Sequence, residues 1–294
     1  MNNFTIQLYR ITVPKYFRRK IQAKKLPRSI FKYYKNHPEE LTPEIESILN
    51  YLKTNPIAVF PYSFQDNYRP DDIEVFYDSK TGLRYTLMDG KKLFFKKRWS
   101  INRIKKAYSI LLKEQDIQSP HRYLSEQFQF DEGDVLVDAG AAEGNFALSL
   151  VEKASRIILF EPDKEWLEPL HATFAPWKDK VTIINKFVGD TTNANQITLD
   201  DIITPLKTAI FLKVDVEGAE LKLLKGTTKL LSQQKPFKIA ICTYHREQDE
   251  KEITNFLAKY NFKISFSEGY MLPIFDKKMR SPLFFRRGLI RAKK

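Results

Sequence analysis

From Glu132 onward, short apolar runs alternate with longer stretches in which apolar residues return every three or four positions. The first pattern is that of strands buried on both faces, the second that of amphipathic helices. The predicted strands are Val135 to Asp138, Ile157 to Glu161, Val181 to Phe187, Ala209 to Asp215 and Phe237 to Thr243. Helices are predicted over Asn145 to Lys153, Lys164 to Phe174, Ala219 to Ser232 and Asp249 to Tyr260. Such alternation builds an α/β fold, a doubly wound parallel sheet with helices on both faces. Ligands of these sheets collect at the carboxyl ends of the strands. Here those ends carry Asp138, Glu161, Asp190, Asp215 and the run from Thr243 to His245.

Ahead of that region the pattern changes. Ile73 to Phe95 reads as three short strands with turns at Ser79 to Gly82 and at Asp89-Gly90, a β-meander. Thr42 to Lys53 reads as a helix, with Thr42 as cap, Pro43 in first position and Ile45, Ile48, Leu49 and Leu52 on one face. The expected organisation is a basic arm and helical region over 1–70, a meander and connecting helix over 71–120, and the sheet domain over 121–294. No internal repeat or low-complexity tract interrupts it.

The strand from Val135 runs into a glycine turn spaced D-x-G-x-A-x-G, with Asp138, Gly140, Ala142 and Gly144 at the fixed positions. This is not the dinucleotide spacing G-x-G-x-x-G, which disfavours an NAD-linked oxidoreductase. A turn of this kind brings backbone N–H groups and a helix N-terminus to a ligand, and the acidic Asp138 suits an ammonium group better than a pyrophosphate. Glu161 follows 23 residues after Asp138 and closes the second strand before Pro162. A carboxylate there is placed to accept the hydrogen bonds of a ribose diol. S-adenosylmethionine carries both an amine and a ribose diol.

The fourth strand leads into the segment from Phe211 to Gly226, which contains K-x-D-x-E-G-A-E over Lys213 to Glu220 and follows Leu199-Asp200-Asp201. With the glycine turn and the late Tyr244-His245, this resembles the FkbM-type methyltransferases over about Glu114 to Tyr260. The resemblance implies a Rossmann-like class I S-adenosylmethionine domain and methyl transfer to an oxygen, often a hydroxyl of a sugar or secondary metabolite. Many members carry Asn where this chain has Ala142, so that contact is expected to be absent or replaced by Glu143 or Asn145. The cofactor-binding candidates are therefore Asp138, Gly140, Ala142, Glu143, Gly144, Asn145, Glu161, Pro162 and Asp190.

A sugar hydroxyl needs a proton acceptor before it attacks, and a positioned base contributes roughly 10²–10⁴-fold. His245 and Asp215 are the candidate catalytic residues. His245, one of four histidines, is either that base or a hydrogen-bonded loop residue. Asp215 is a base, a substrate anchor or, with Glu217 and Asp190, a metal ligand, although no spacing is diagnostic of a hard cation and no metal is expected. Asp190 either accepts from the adenine amino group or belongs to a Gly-Asp turn. Glu220 is expected to decorate the first turn of the following helix. Asp200 and Asp201 are expected to serve as caps or turn residues. Asp116, His121, Arg122 and Glu217 are the substrate-binding candidates, the first three lying in a polar segment that either covers the cofactor mouth or is a solvated loop.

The net charge of +13 is uneven. The first 38 residues hold ten Lys or Arg and no acidic residue, Lys277 to Lys294 holds eight and none, and the middle is left at −5. From Ile11 to Tyr34 basic residues interleave with Val13, Phe17, Ile21, Leu26, Ile30 and Phe31, as suits a peripheral helix on an anionic membrane, or else a solvated basic arm. Pro14 and Pro27 argue against one long helix there. The same charge raises a nucleic-acid partner, but the Asn/Asp-Pro-Pro-aromatic element of base amino-methyltransferases is replaced by Asp215 to Gly218. The single cysteine, Cys242, lies in an apolar strand and is expected to pack. No apolar run is long enough for a membrane span or shaped as a signal peptide, so a cytoplasmic protein, peripheral at most to the inner membrane surface, is expected.

Overall fold

The computed structural model describes residues 15–203, 208–274 and 284–294, with side chains from residue 26 onward. The chain divides into two compact units, 1–63 with 272–285 and 64–271 with 286–294. The meander thus shares a unit with the main sheet instead of standing apart over 71–120.

In the first unit, α1 runs over Lys15–Asn36 and α2 over Pro43–Thr54. The Thr42 hydroxyl accepts from Ile45 N at 3.2 Å and Pro43 opens the helix, so α2 begins as its sequence dictates. Ile45, Ile48 and Leu52 are buried. The expectation that Pro27 interrupts the first helix is overturned: α1 is 22 residues long with Pro27 inside it. Burial anchors its C-terminal half, where Ile30 and Tyr34 are buried and Tyr34 stacks on Phe285. Ile11 and Val13 lie outside the described residues, as do Lys277, Lys278 and Arg280 of the C-terminal basic run.

The second unit opens with the meander, β1 (Phe76–Asp78), β2 (Leu83–Met88) and β3 (Lys91–Phe94), all antiparallel. Helix α3 (Ile101–Glu114) follows, capped by Ser100, whose hydroxyl accepts from Arg103 N at 3.3 Å. Then come β4 (Val135–Ala139), α4 (Asn145–Leu150), β5 (Arg156–Phe160), α5 (Leu167–Phe174), β6 (Val181–Ile184), the short pair β7 (Phe187–Val188) and β8 (Gln196–Ile197), and α6 (Leu199–Ile202). The chain continues with β9 (Ile210–Val214), α7 (Glu220–Lys225), α8 (Thr228–Leu231), β10 (Phe237–Cys242), α9 (Asp249–Ala258), β11 (Lys263–Phe266) and β12 (Leu289–Lys293).

Seven strands form the main sheet in the order β11-β12-β10-β9-β4-β5-β6. The five predicted strands are β4, β5, β6, β9 and β10, parallel and in the doubly wound order; β12 alone runs against its neighbours. This is a Rossmann-like, doubly wound sheet with one antiparallel strand near its edge. Every residue of β4 and β9 is buried, as in a sheet covered on both faces. Val137, Leu212, Ile239 and Phe160 lie in the core cluster that helices α7 to α9 also join.

Three expectations shift. The third strand ends at Ile184, and Phe187 pairs separately with Gln196. The helix predicted over Ala219 to Ser232 is two helices broken at Gly226 and Thr227, where a Cβ on Gly226 would meet the Gly189 carbonyl oxygen at 2.0 Å. The basic C-terminal run is not only a charged tail. Its last residues form β12, between β10 and β11, with Arg286 and Arg291 buried.

Candidate active site

The turn between β4 and α4 is a chain of left-handed residues: Gly140 at φ +80°, Ala142 at +46° and Gly144 at +79°. A Cβ on Gly140 would stand 1.9 Å from the Asp215 carbonyl oxygen, so glycine is required there by the approach of the end of β9. Ala142 N donates to Glu161 Oε2 at 2.8 Å, and Asp163 N donates to Oε1 at 2.8 Å. Burial pushes the Glu161 carboxyl up, opposed by these two amides. Each carboxylate oxygen keeps lone-pair capacity for a further donor. The Glu161 and Pro162 carbonyls accept from Asn185 Nδ2 at 2.8 and 3.0 Å, which ties the end of β6 to this wall. Asn145 opens α4, half-buried.

Asp138 does not await an ammonium from a ligand. Lys213, buried in the middle of β9, places its Nζ 2.9 Å from Asp138 Oδ1 and donates to the Gly140 carbonyl at 2.6 Å. Burial works against the Lys213 charge, but Asp138 and Asp215 outweigh it and hold the ammonium protonated. Burial raises Asp138 against the pull of Lys213. Glu143, in the turn itself, is 8% exposed, and its carboxyl is pushed up to about 8 by burial and then by the charge of Glu114 at the end of α3.

Beyond β9 and β10 a second cluster centres on Asp215. Tyr123 OH donates to Asp215 Oδ2 at 3.0 Å and Tyr244 OH to Oδ1 at 3.4 Å. His245 Nε2 lies 3.5 Å from Oδ1 and His121 Nε2 3.6 Å from Oδ2. Burial opposes the Asp215 charge, yet His121, Lys213 and His245 together hold its carboxyl far below the usual range. On the other side of the His245 ring, Nδ1 is 2.8 Å from Glu220 Oε1. That oxygen also accepts from Val216 N and Gly218 N, both at 3.2 Å. Burial depresses His245, but Glu220 first and Asp215 second raise it, and the net shift is upward. The expectation for Glu220 is therefore corrected: it is wholly buried beneath His245 rather than decorating the helix surface.

Arg286 donates from Nη1 to the carbonyls of Tyr244 at 2.8 Å and His245 at 3.1 Å. Arg291 donates to the carbonyls of Tyr123 at 3.0 Å and Arg122 at 2.6 Å. Arg286 ahead of β12 and Arg291 within it thus fix the backbone of both segments that face Asp215.

The structure brings together Asp138, Gly140, Ala142, Glu143, Gly144, Asn145, Glu161 and Pro162 on one wall, and Asp215, His245 and His121 on the next. Others stand apart. Asp190 is exposed, and its backbone lies against Gly226 at the C-terminal end of α7, just past the short strand β7. Glu217 is exposed at φ +50°. Asp116 is engaged internally, accepting from Tyr68 OH at 2.5 Å and Gln118 N at 2.7 Å, while Arg122 contributes its carbonyl to Arg291. Asp200 accepts from Lys229 N at 2.9 Å and Leu230 N at 3.0 Å, the cap of α8. Asp190, Asp215 and Glu217 do not assemble as a metal set. Among the described residues, Asp215 instead shares one possible ligand group with His121 and Cys242 and another with Glu220 and His245, where Glu220 touches the ring directly.

Sequence reasoning missed Lys213, Glu114, Tyr123 and Glu220 as site residues. Lys213 and Glu220 stood inside the quoted motif. A lysine in an otherwise apolar strand is a signal in itself, because burial of a lone ammonium is costly.

The cradle fits S-adenosylmethionine on its own features. Glu161 offers the ribose-facing carboxylate, the glycine turn lets backbone approach the ligand, and buried carboxylates surround the end nearest Glu143. Residues 174–264 match the model of the methyltransferase FkbM domain. No curated protein matches the chain. Among solved structures it is similar to the methyltransferase FkbM of Methylobacillus flagellatus KT, at 22% identity and TM-score 0.47, over 65% of this chain and 54% of that one. The chain thus spans about half the length of that protein. It is also similar to a SAM-dependent methyltransferase of Aquifex aeolicus, at 13% identity and TM-score 0.38, over 67% and 98% of the two chains. A Streptococcus mutans methyltransferase solved with SAH gives 15%, TM-score 0.38, and 56% and 90%. Over residues 174–264, then, the chain is similar to the methyltransferase FkbM domain.

Proposed function

We propose that this S-adenosylmethionine-dependent methyltransferase acts on an oxygen, a hydroxyl of a saccharide or glycan precursor, and that His245 takes the hydroxyl proton. The observation that supports this most is the His245 ring held between two carboxylates, Glu220 at 2.8 Å on Nδ1 and Asp215 at 3.5 Å from Nε2. When bound, the cofactor supplies a sulfonium-activated methyl group open to in-line displacement. The protein's share is alignment and proton handling. Glu220, itself fixed by two backbone amides, sets the orientation of the ring and favours a proton on Nδ1, leaving Nε2 to face the acceptor. Asp215 stays ionised and stabilises the imidazolium that forms. Tyr123 and Tyr244 hold the Asp215 carboxylate from two sides, and Glu161 anchors the ribose.

The basic residues of α1 support a peripheral contact with an anionic membrane surface, where lipid-linked glycans are built. No described helix is long and apolar enough to cross a membrane.

The test is transfer of labelled methyl from S-adenosylmethionine to panels of hydroxyl, amine and thiol acceptors. Hydroxyl acceptors are expected to be labelled, and His245→Ala to lose turnover while calorimetry shows cofactor affinity unchanged. Labelling of amines alone, or full turnover in the variant, refutes the reading.

A further inference from the structure

The ammonium that the glycine turn invites is already present, and it belongs to the protein. Lys213 Nζ occupies both the Asp138 carboxylate, at 2.9 Å, and the Gly140 carbonyl, at 2.6 Å. A ligand ammonium placed between them would meet a buried like charge, and like charges in a site of low polarity repel strongly. The amino-acid end of the cofactor therefore needs another carboxylate.

One stands in the same turn. Glu143 lies between Ala142 and Gly144, is 8% exposed, and its only hydrogen bond among the described interactions is with its own backbone amide. The charged groups that face it are Glu114 from the end of α3, Lys213 from β9 and Asp138 from β4. Glu114 is itself raised by burial and faces His121, Asp215 and Lys213. Glu143 thus faces a second carboxyl, while the ammonium of Lys213 is held on Asp138 and the Gly140 carbonyl.

We infer that Glu143, with Glu114 behind it, is the subsite for the α-ammonium of the cofactor, in place of Asp138. This rests on S-adenosylmethionine being the cofactor. A buried carboxyl pushed up to about 8 is protonated near neutrality. On arrival of a cation its proton passes to solvent and the carboxylate pairs with the ligand, so binding releases a proton. Charge-assisted contacts of this kind carry about 10–100-fold in affinity.

The test is calorimetry near neutral pH in two buffers of different ionisation enthalpy. The ligands are S-adenosylmethionine, S-adenosylhomocysteine and 5′-methylthioadenosine, the last lacking the amino-acid end. The wild type is expected to release a proton with the first two and none with the third. In Glu143→Gln the release should vanish and the first two should bind about 10–100-fold more weakly, with the third unchanged, which also shows that the variant is folded. Glu143→Asp, which keeps a titrating group, should retain release. Unchanged affinity of Glu143→Gln for S-adenosylhomocysteine, or release that persists in it, overturns the inference while leaving the cofactor in place. If Glu143→Gln does not fold, absence of release in the wild type overturns it alone. A wild type that binds none of the three ligands removes the cofactor reading and this subsite together.

Discussion

At the scale of single residues, buried charge organises the site. Removing the Lys213 ammonium strands Asp138 at 1% exposure, so Lys213→Met is expected to lower stability by about 3–5 kcal/mol in urea denaturation. His245 is raised above its ordinary 6.5 chiefly by Glu220, so the folded protein holds that proton to higher pH than the free side chain would. A base must be unprotonated to act, and turnover should therefore rise along a limb displaced above 6.5. Glu220→Gln removes the nearest negative charge and should move that limb to lower pH while lowering turnover, as a pH–rate profile will show. Glu143 carries a stability consequence of the same sign. Its carboxyl is raised from 4.5 to about 8, so the unfolded chain ionises first as pH rises. Stability of the ligand-free protein should fall across that window, and Glu143→Gln should flatten the fall in a series of melting temperatures.

At the scale of elements, α1 shows burial overriding local preference. An interior proline costs about 3 kcal/mol through a lost backbone bond and a clash with the preceding turn. Ile30 and Tyr34, seated in their unit's core, secure the residues after it. Pro27→Ala should therefore stabilise the protein, by about 1–3 kcal/mol if the ring has no packing role, measured by chemical denaturation. The last strand carries a different lesson. Alternation in Leu289–Lys293 was masked by its charges, and only pairing with β10 and β11 shows that Arg291 points inward to the carbonyls of Arg122 and Tyr123. Arg291→Leu keeps the strand apolar but frees those carbonyls. Faster hydrogen exchange around Tyr123 and weaker turnover are expected.

At the scale of the whole molecule, the acidic middle of the sequence and its basic ends have separate uses. The carboxylates gather around the strand ends, whereas two of the C-terminal arginines are buried and structural. The membrane contact proposed for α1 predicts that reversing Lys20, Lys24 and Arg28 to Glu reduces sedimentation with anionic vesicles, more so at low salt. The sequence by itself determined the parallel sheet, the glycine turn, the meander and the α2 cap, because these rest on period, φ preference and short-range hydrogen bonds. It also placed Asp215 and His245 at the carboxyl ends of their strands, which the structure sets side by side. Only the tertiary structure decided that Lys213 answers Asp138, that Glu220 lies beneath His245 and that the basic C-terminus ends in a buried strand. Each of those depends on which charges share a space closed to water, and residues distant along the chain meet there only when the sheet has formed.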